Sequence, residues 1–148
     1  MIKVRVGYMK IDERAEIPEY QTEGAAGCDL KACIDEVVIL GPGETRLIST
    51  GLSIEVPDGY EAQVRPRSGL AMKKGITVLN SPGTIDSDYR GPVGVLLHNT
   101  SPSGVDIFHG ERIAQLVIAP VVQANFEEGF IEKDTERGAG GFGSTGKY

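Results

Sequence analysis

The stretch LSIEVPDGYEAQVR, residues 52–65, decides the fold class. Strand signals at 52–56 and 60–65 flank the turn-forming residues PDGY. Proline presets the backbone of a turn and glycine supplies dihedrals that other residues avoid, so this stretch predicts a strand, a turn and a second strand.

The same pattern of short strand signals and turn residues recurs along the chain. Because no helical period is long enough for a β-α-β unit, the spacing predicts an all-β sandwich or closed barrel. One short helix is expected at 68–74, SGLAMKK, with Ser68 as its N-cap and Gly75 as its C′ residue. The other predicted strands are 2–8, 37–40, 45–49, 76–79, 93–98, 105–108 and 112–118.

Length and composition are typical of one globular domain. The chain has 148 residues, of which 40% are hydrophobic, and a chain of this size buries roughly 70% of its extended surface on folding. No apolar run approaches the ~20 residues that span a bilayer. The opening MIKVRVGYMK alternates like a strand, unlike a signal peptide, so we expect no membrane association and a cytoplasmic location.

The charge argues against a general nucleic-acid binder. The net charge is −6 and the pI about 4.9, whereas nucleic-acid binding needs a basic face. A small anionic substrate remains compatible if positive charge is focused locally. Arg65, Arg67, Lys73 and Lys74 form such a local group, although taken alone such a group is more often a solvated surface. The two cysteines are too few for a disulfide framework, and no Cys/His spacing resembles a metal site.

The last twelve residues, RGAGGFGSTGKY, contain five glycines. Such a segment loses much backbone entropy on ordering and has little apolar surface to bury in return. We therefore predict a domain over residues 1–126 and a flexible C-terminal arm over residues 127–148.

Two segments carry charged groups that suit catalysis or anion binding. In GTIDSDYRG, residues 83–91, Asp86 and Asp88 would share one face of an extended segment, and the flanking glycines suit a hairpin close to a ligand. An acidic turn with capping side chains is the alternative. In RPRSGLA, residues 65–71, the free N–H groups of the helix start would form an anion site beside Arg67, or simply a cap beside surface arginines.

Two further polar residues stand in apolar or small surroundings. Gln115, within RIAQLVI, either bonds the backbone or faces a ligand, because a buried amide needs partners. Asp29, within AAGCDLKA, is either a turn cap or an indirect partner of a metal.

Together, the segments AAGCDLKA, RPRSGLA, NSPGTIDSDYRG, RIAQLVI and RGAGGFGSTG resemble, in this order, the five motifs of the homotrimeric dUTPases, the deoxyuridine triphosphate nucleotidohydrolases. The resemblance runs from residue 24 to residue 146. Two departures are small: Cys28 stands where the family often has an aromatic residue, and the Ser81-Pro82 pair differs from commoner forms. Neither position is expected to do chemistry, although Pro82 could alter the hairpin.

The resemblance implies a jelly-roll-like, distorted β-barrel that hydrolyses dUTP to dUMP and pyrophosphate with Mg²⁺. This reaction limits uracil in DNA and supplies dUMP for thymidylate synthesis. Asp86 is implied as the general base, which must lie within about 2.6–3.2 Å of the attacking water. Asp29 would act through metal-bound water, because Mg²⁺ keeps much of its hydration shell and binds mainly substrate phosphates.

The resemblance also implies how the substrate is held. Asn80 and the hairpin backbone would contact uracil, and Tyr89 would lie under the sugar and exclude a 2′-hydroxyl. Thymine would be excluded because a close-packed hairpin has no room for its methyl group. Phe142 would stack on the base, and the arm would reach a site on a neighbouring subunit of the homotrimer. The other implied substrate-binding residues are Arg67, Ser68, Gly69, Gly83, Thr84, Gln115, Arg137, Gly143, Ser144 and Thr145.

Two alternatives compete with this interpretation. A dCTP deaminase, or a bifunctional deaminase and dUTPase, would need an acidic residue on the strand after the third motif, and VGVLLH at 93–98 has none. A non-catalytic barrel that binds a partner would have no reason to combine Asp86, Tyr89, Gln115 and Phe142.

Overall fold

The computed structural model describes residues 1–148 and contains ten strands and one helix. Predicted strands at 37–40, 60–65, 76–79, 93–98, 105–108 and 112–118 are found within two residues of their expected bounds. The elements are β1 Gly7–Lys10, β2 Gly27–Lys31, β3 Val38–Leu40, β4 Thr45–Glu55, β5 Tyr60–Arg65, α1 Ser68–Lys74, β6 Ile76–Val78, β7 Gly83–Ile85, β8 Pro92–Asn99, β9 Val105–Ile107 and β10 Arg112–Pro120.

The strands form three antiparallel sheets around one core. Their orders are β1-β4-β8-β6, β2-β10-β5-β7 and β3-β9. The predicted all-β class with one short helix is confirmed, but the sheets are not closed into a barrel. Closure fails where β7 pairs with β5 while the next strand, β8, pairs with β4 and β6, so the chain changes sheets between them.

Alternation of side chains along β8 explains how the core forms. Val93, Val95 and Leu97 point inward and are at most 2% exposed, while Gly94 and Leu96 lie on the other face and are half-buried. The inward residues belong to a cluster of 21 buried side chains. Burial of apolar area at roughly 25 cal/mol per Å² makes this cluster the main source of stability.

Several predicted boundaries differ from the structure. The strands expected at 45–49 and 52–56 are one strand, because Gly51 (φ 68°) lets the chain pass an irregularity in the pairing with β8. The strand expected at 2–8 is found only at Gly7–Lys10, where it pairs with β4. Strands β2 and β7 were not predicted, since both are short and lie inside segments chosen for their polar residues.

The helix is found at its predicted bounds, Ser68–Lys74, and Gly75 ends it in the left-handed conformation. The prediction that Ser68 is the N-cap was wrong. Arg67 is the N-cap, since its extended backbone (φ −89°, ψ 129°) precedes the first helical residue and its carbonyl accepts the N–H of Ala71 at 3.1 Å. The hydroxyl of Ser68 is therefore not used to cap the helix.

After Pro120 the chain has no strand or helix. None of residues 121–148 is buried, and the only backbone hydrogen bond from this segment to the rest of the chain joins the Val121 N–H to the Gly59 carbonyl at 2.9 Å. The predicted domain boundary after residue 126 stays a prediction. The one helix is too short to cross a membrane.

Candidate active site

A cleft of about 490 Å³ lies between the two four-stranded sheets. One wall comes from β7 and the turn after it, and the other comes from β4 and β8. The lining residues are Leu47, Ser49, Thr84, Ile85, Asp86, Tyr89, Pro92, Val93 and Gly94. Three of the predicted site residues, Thr84, Asp86 and Tyr89, are thus brought together.

The turn at 86–89 presents Asp86 to the cleft. The N–H of Tyr89 donates to the carbonyl of Asp86 at 3.1 Å, so the chain reverses tightly here. The prediction that Asp86 and Asp88 share one face of an extended hairpin was wrong, because Asp88 lies in the turn and the flanking strands belong to different sheets. Asp86 lines the cleft and Asp88 does not, although both are exposed. The turn therefore places Asp86, and not Asp88, at the cleft.

Tyr89 is held in place by contacts with the start of β8. Its hydroxyl donates a hydrogen bond to the carbonyl of Pro92 at 2.9 Å. A Cβ on Gly91 would lie only 2.4 Å from that hydroxyl oxygen, so residue 91 must be glycine for the ring to lie where it does. Tyr89 remains 43% exposed, which leaves the ring available to a ligand.

Asn80 and Gly83 lie together at the beginning of β7. Gly83 pairs with Val64 of β5, and a Cβ at Gly83 would lie 3.3 Å from both the Asn80 Nδ2 and the Val64 Cβ. Asn80 is exposed. Neither residue lines the cleft around Asp86.

A second group of polar residues lies on the outer face of the sheet β2-β10-β5-β7. Gln115 on β10 is in register with Asp29 on β2 and with Arg65 on β5. The next pair along, Cys28 and Leu116, is buried in the core, so Gln115 and its partners occupy the opposite face. The Gln115 side chain lies over Gly27, where a Cβ would meet its Oε1 at 3.4 Å.

Asp29 is the charged centre of this group and is only 5% exposed. Its Oδ1 lies 3.2 Å from Arg67 Nε, and its Oδ2 lies 3.4 Å from an Arg112 terminal nitrogen. Oδ1 nevertheless has no partner with hydrogen-bond geometry. We call Asp29, Arg67, Ser68, Gly69 and Gln115 the basic cluster. The name refers to the two cations at Asp29, which are Arg67 within the cluster and Arg112 beside it. A Cβ at Gly69 would meet nothing within 4 Å, so this chain leaves space there.

The cleft, the basic cluster and the arm form three separate groups in this chain. No member of the basic cluster lines the cleft, and no residue of the arm lines it either. Phe142 is fully exposed and has a positive φ of 52°. Arg137 Nε donates to the Gly140 carbonyl at 2.9 Å, and the Ser144 N–H donates to the Gly141 carbonyl at 3.1 Å, so these arm contacts are local.

Two nearby features limit the chemistry. No group of three or more His, Cys, Asp or Glu side chains is placed to hold a metal ion. The unpartnered Asp29 Oδ1 fits a hydrated metal held mainly by substrate phosphates, but not one held by protein ligands alone. Burial raises the pKa of the neighbouring Cys28 thiol, which disfavours the thiolate form that a nucleophile needs.

Sequence reasoning missed the wall formed by Leu47, Ser49 and Gly94. These residues lie outside the five motifs, in strands whose alternation indicates only a sheet. The glycine within β8 was the available signal, since a glycine inside a strand often marks a close approach to a ligand or another chain segment.

The site has a carboxylate facing a cleft, cations beside an exposed serine, and a glycine-rich arm with a free aromatic ring. This set fits an all-β hydrolase for an anionic substrate that carries a flat ring. The comparisons with known proteins agree with that class and narrow it. The family model for dUTPase matches residues 13–146, and the chain belongs to the dUTPase family.

Relatives and solved structures give the same family. The deoxyuridine 5′-triphosphate nucleotidohydrolase of Nautilia profundicola is 62% identical over 138 residues, which cover 93% of this chain and 96% of the relative. A mutant dUTPase of Staphylococcus bacteriophage 80alpha with dUpNHpp has a TM-score of 0.88 at 26% identity, covering 98% of this chain and 100% of that one.

A more distant structure is similar in fold. A mutant dUTPase from phage phi11 of S. aureus has a TM-score of 0.79 at 23% identity and covers 88% of this chain and 100% of its own. That protein coordinates a structural Mg(II) ion.

Proposed function

We propose that this enzyme hydrolyses dUTP at a site assembled from the cleft of one copy, the basic cluster of a second copy and the arm of a third. Hydrolysis of dUTP to dUMP and pyrophosphate is the activity of its family. One observation supports the assembly: no residue of the basic cluster or of the arm lines the cleft within one chain. A closed homotrimer offers three equivalent interfaces at which they can meet.

Asp86 is the general base of this proposal. Its carboxylate accepts a proton from the attacking water, whose oxygen bonds to the α-phosphorus while the bond to the departing pyrophosphate breaks. A positioned base typically contributes ~10²–10⁴-fold to such a reaction. The exposed position of Asp86 in the cleft supports this role.

The basic cluster binds the triphosphate. Arg67 donates from its guanidinium, Ser68 from a hydroxyl that the helix does not use, and Gln115 from an amide on the outer face of the sheet. The open space at Gly69 allows phosphate oxygens to approach the backbone closely. Asp29 contributes by holding Arg67 in position through its ion pair.

The same residues fit Mg²⁺ held mainly by the substrate. Asp29 would contact the hydrated ion through water, and the metal would neutralise phosphate charge when bound. The protein groups still have to orient the triphosphate, which is where positioning gains most of its effect.

Base and sugar are bound on the other side of the site. Asn80 and the backbone of Gly83 and Thr84 contact uracil, and Tyr89 packs against deoxyribose. A fixed pattern of polar backbone groups discriminates strongly, because the wrong base leaves buried groups unpaired and costs ~10⁴-fold or more. The hydrogen bond from Tyr89 to Pro92 supports a rigid sugar pocket.

The arm closes the site. Phe142 stacks on uracil, while Arg137, Ser144 and Thr145 hold phosphate oxygens and Gly143 lets the backbone approach them. From Pro120 to Phe142 an extended chain spans up to roughly 70 Å, which is ample to reach a neighbouring subunit. Closure of such a segment excludes water and aligns the reacting groups.

The remaining proposals concern the cellular location, the partners and the oligomeric state of the enzyme. The enzyme acts in the cytoplasm on free nucleotide, without nucleic acid or membrane, and forms a homotrimer. Its net charge of −6 supports the absence of nucleic-acid binding. The deaminase alternative is not favoured, and β8, which would carry its acidic residue, has none.

One assay tests the proposed reaction. Purified protein with Mg²⁺ is supplied with dUTP or dCTP, and pyrophosphate and ammonia are both measured. We expect pyrophosphate from dUTP and no ammonia from dCTP. Ammonia release from dCTP, or no pyrophosphate from dUTP, would contradict the proposal. Sedimentation at micromolar concentration tests the assembly, and an active monomer would refute it.

A further inference from the structure

Arg90 lies directly after the turn that presents Asp86 to the cleft, and the proposed reaction gives it no part. It is exposed and does not line the cleft. Its guanidinium instead contacts the turn itself. The role of Arg90 is therefore to be sought in what those contacts do to the turn.

The Arg90 guanidinium braces the turn from outside. One terminal nitrogen, Nη1, donates to the carbonyl of Ser87 at 2.6 Å and to the carbonyl of Tyr89 at 3.0 Å. The other, Nη2, lies 3.6 Å from a carboxylate oxygen of Glu55 at the end of β4. The planar guanidinium can make these contacts together because its donors point in fixed, divergent directions. Arg90 thus joins two carbonyls of the turn to the sheet β1-β4-β8-β6.

The backbone alone holds the segment 86–91 weakly. The only backbone hydrogen bond within it is the one that closes the turn, at 3.1 Å. The carbonyls of Ser87, Tyr89 and Gly91 are bonded by side chains instead, and the last accepts from the Ser53 hydroxyl at 3.1 Å. Side-chain donors therefore fix the shape of this segment.

The carboxylate of Asp86 depends on that shape. The hydrogen bonds of the segment all end on backbone carbonyls, and none of them reaches this carboxylate. Its position at the cleft is therefore set by the backbone of the turn. A catalytic group has to be held within about 0.5 Å of its productive position, so a group that fixes this backbone also affects the rate.

We propose that Arg90 is a positioning residue, whose guanidinium fixes the turn at 86–89 and thereby aims the Asp86 carboxylate at the attacking water. The proposal rests on the proposed function, in which Asp86 is the general base. Because Arg90 acts through the backbone and not on the substrate, its loss should slow the chemical step and leave ground-state binding nearly unchanged. Tyr89 keeps its own anchor, the hydrogen bond from its hydroxyl to Pro92, so the preference for dUTP over UTP should also stay.

The test measures kcat and KM for dUTP, and the dissociation constant of dUpNHpp, in Arg90→Gln and Arg90→Lys. A misplacement of about 1 Å in an active site can cost ~10²-fold. We expect kcat to fall by roughly 10–100-fold in Arg90→Gln, with KM and the dissociation constant near their normal values. Arg90→Lys should recover part of kcat, because an ammonium group still donates but lacks the fork of the guanidinium.

The fold should tolerate these changes. The side chains of Arg90 and Glu55 are 56% and 65% exposed, and an ion pair so exposed contributes little to stability. The melting temperature and the sedimentation coefficient of both variants should therefore match those of the unaltered protein.

Arg46→Gln is the matched control. The Arg46 side chain is 50% exposed, lies 2.7 Å from Glu44 and does not line the cleft. Its hydrogen bond goes to a side chain and not to a turn carbonyl, so its loss should leave kcat unchanged. Glu55→Gln removes the ion pair but keeps both carbonyl contacts of Arg90, so its effect should be smaller than that of Arg90→Gln.

A double variant separates positioning of the base from any independent role. If Arg90 acts through Asp86, Arg90→Gln should cause no further loss of kcat once Asp86→Asn is present, because residues that act as a unit are not additive. A double variant that loses the full product of the two single effects would overturn the proposal.

The other outcomes also decide the matter. An unchanged kcat in Arg90→Gln overturns the proposal, and so does an equal loss in Arg46→Gln. A rise in KM larger than the fall in kcat overturns it and makes Arg90 a direct contact of the substrate. Dissociation of the assembly overturns it as well and makes Arg90 a subunit contact. Failure of the proposed function is distinct, because the unaltered protein would then release no pyrophosphate from dUTP.

Discussion

The body, residues 1–120, which ends with the last strand, differs from the predicted arm, residues 127–148, in both burial and composition. All 29 buried residues lie between Ala15 and Leu116, and the arm contributes none. The arm nevertheless carries Arg137, Phe142, Ser144 and Thr145, which the family motif assigns to the substrate. We therefore expect stability and catalysis to be separable: the body should supply the first, and both regions should supply the second.

This division follows from the entropy of the two sequences. In the body, burial of apolar area contributes about 25 cal/mol per Å² and offsets the loss of conformational entropy on folding. The arm has glycines and exposed side chains, so within one chain it buries too little apolar area to offset its loss of conformational entropy. We therefore expect the arm to become ordered only against a ligand or another copy, which would couple its order to binding.

The largest expected effect comes from the body. Asp86→Asn keeps the shape of the side chain but cannot accept a proton, so we expect kcat to fall by roughly 10²–10⁴-fold with near-native affinity for dUTP. Steady-state kinetics and a binding isotherm measure the two quantities. Asp88→Asn is the control, because Asp88 lies in the same turn but outside the cleft. Retention of more than about a tenth of the activity in Asp86→Asn would sink the assignment of the base.

Removal of the arm is the next largest change. A chain ending at Glu136 lacks the four motif residues of the arm but keeps every buried side chain. We expect the melting temperature to stay the same and kcat to fall by about 10²–10³-fold, by analogy with the loss of an oxyanion donor. A truncated protein that turns over at a near-native rate would make the arm a mere disordered end. A lower melting temperature would show that the arm stabilises the body.

Substitution of Tyr89, a residue of the body, is expected to have a smaller effect, which is a change in selectivity between dUTP and UTP. Tyr89→Ala removes the ring that we propose packs against the sugar, so the ratio of kcat/KM for dUTP to that for UTP should fall by roughly tenfold. Tyr89→Phe is the control, because it keeps the ring and loses only the hydrogen bond to Pro92. If neither variant changes the ratio, another residue excludes the 2′-hydroxyl.

Asp29→Asn should have the smallest effect on turnover and a measurable effect on stability. The carboxylate is 5% exposed and lies between two arginines, so loss of its charge weakens both ion pairs. We expect destabilisation of about 1–3 kcal/mol and a higher KM, because Arg67 loses its positioning partner. Thermal melting and kinetics test this, and Ser144→Ala in the arm should leave the melting temperature unchanged. An unaltered KM in Asp29→Asn would separate Asp29 from substrate binding.

Much of this arrangement was predictable from local sequence. Turn residues and strand signals placed most strands and the helix, because PDGY and the Gly75 cap act over a few residues. The motif resemblance supplied the family. What local reasoning could not give was the partner of each strand: the turn at 86–89 looks like a hairpin tip, yet β7 and β8 join different sheets.

The cleft wall formed by Leu47, Ser49 and Gly94 was not predicted for the same reason, because local sequence does not show which strands pair. Leu47 and Gly94 are nearly fifty residues apart in the sequence, and only the register of β4 with β8 places one over the other. Likewise, Ser68 has the residue type of a cap, but the extended backbone of Arg67 takes that position. Non-local strand pairing decided the first case, and local backbone conformation decided the second.

The central claim is that the cleft and the arm of one active site belong to different copies of the chain. The direct test mixes two inactive proteins, Asp86→Asn and the chain ending at Glu136, unfolds them together and refolds them in equal amounts. If a site takes its cleft and its arm from different subunits, random assembly should restore about a quarter of the normal activity. Each protein refolded alone is the control and should remain inactive. If the mixture is no more active than these controls, cleft and arm belong to the same chain, and the account is contradicted.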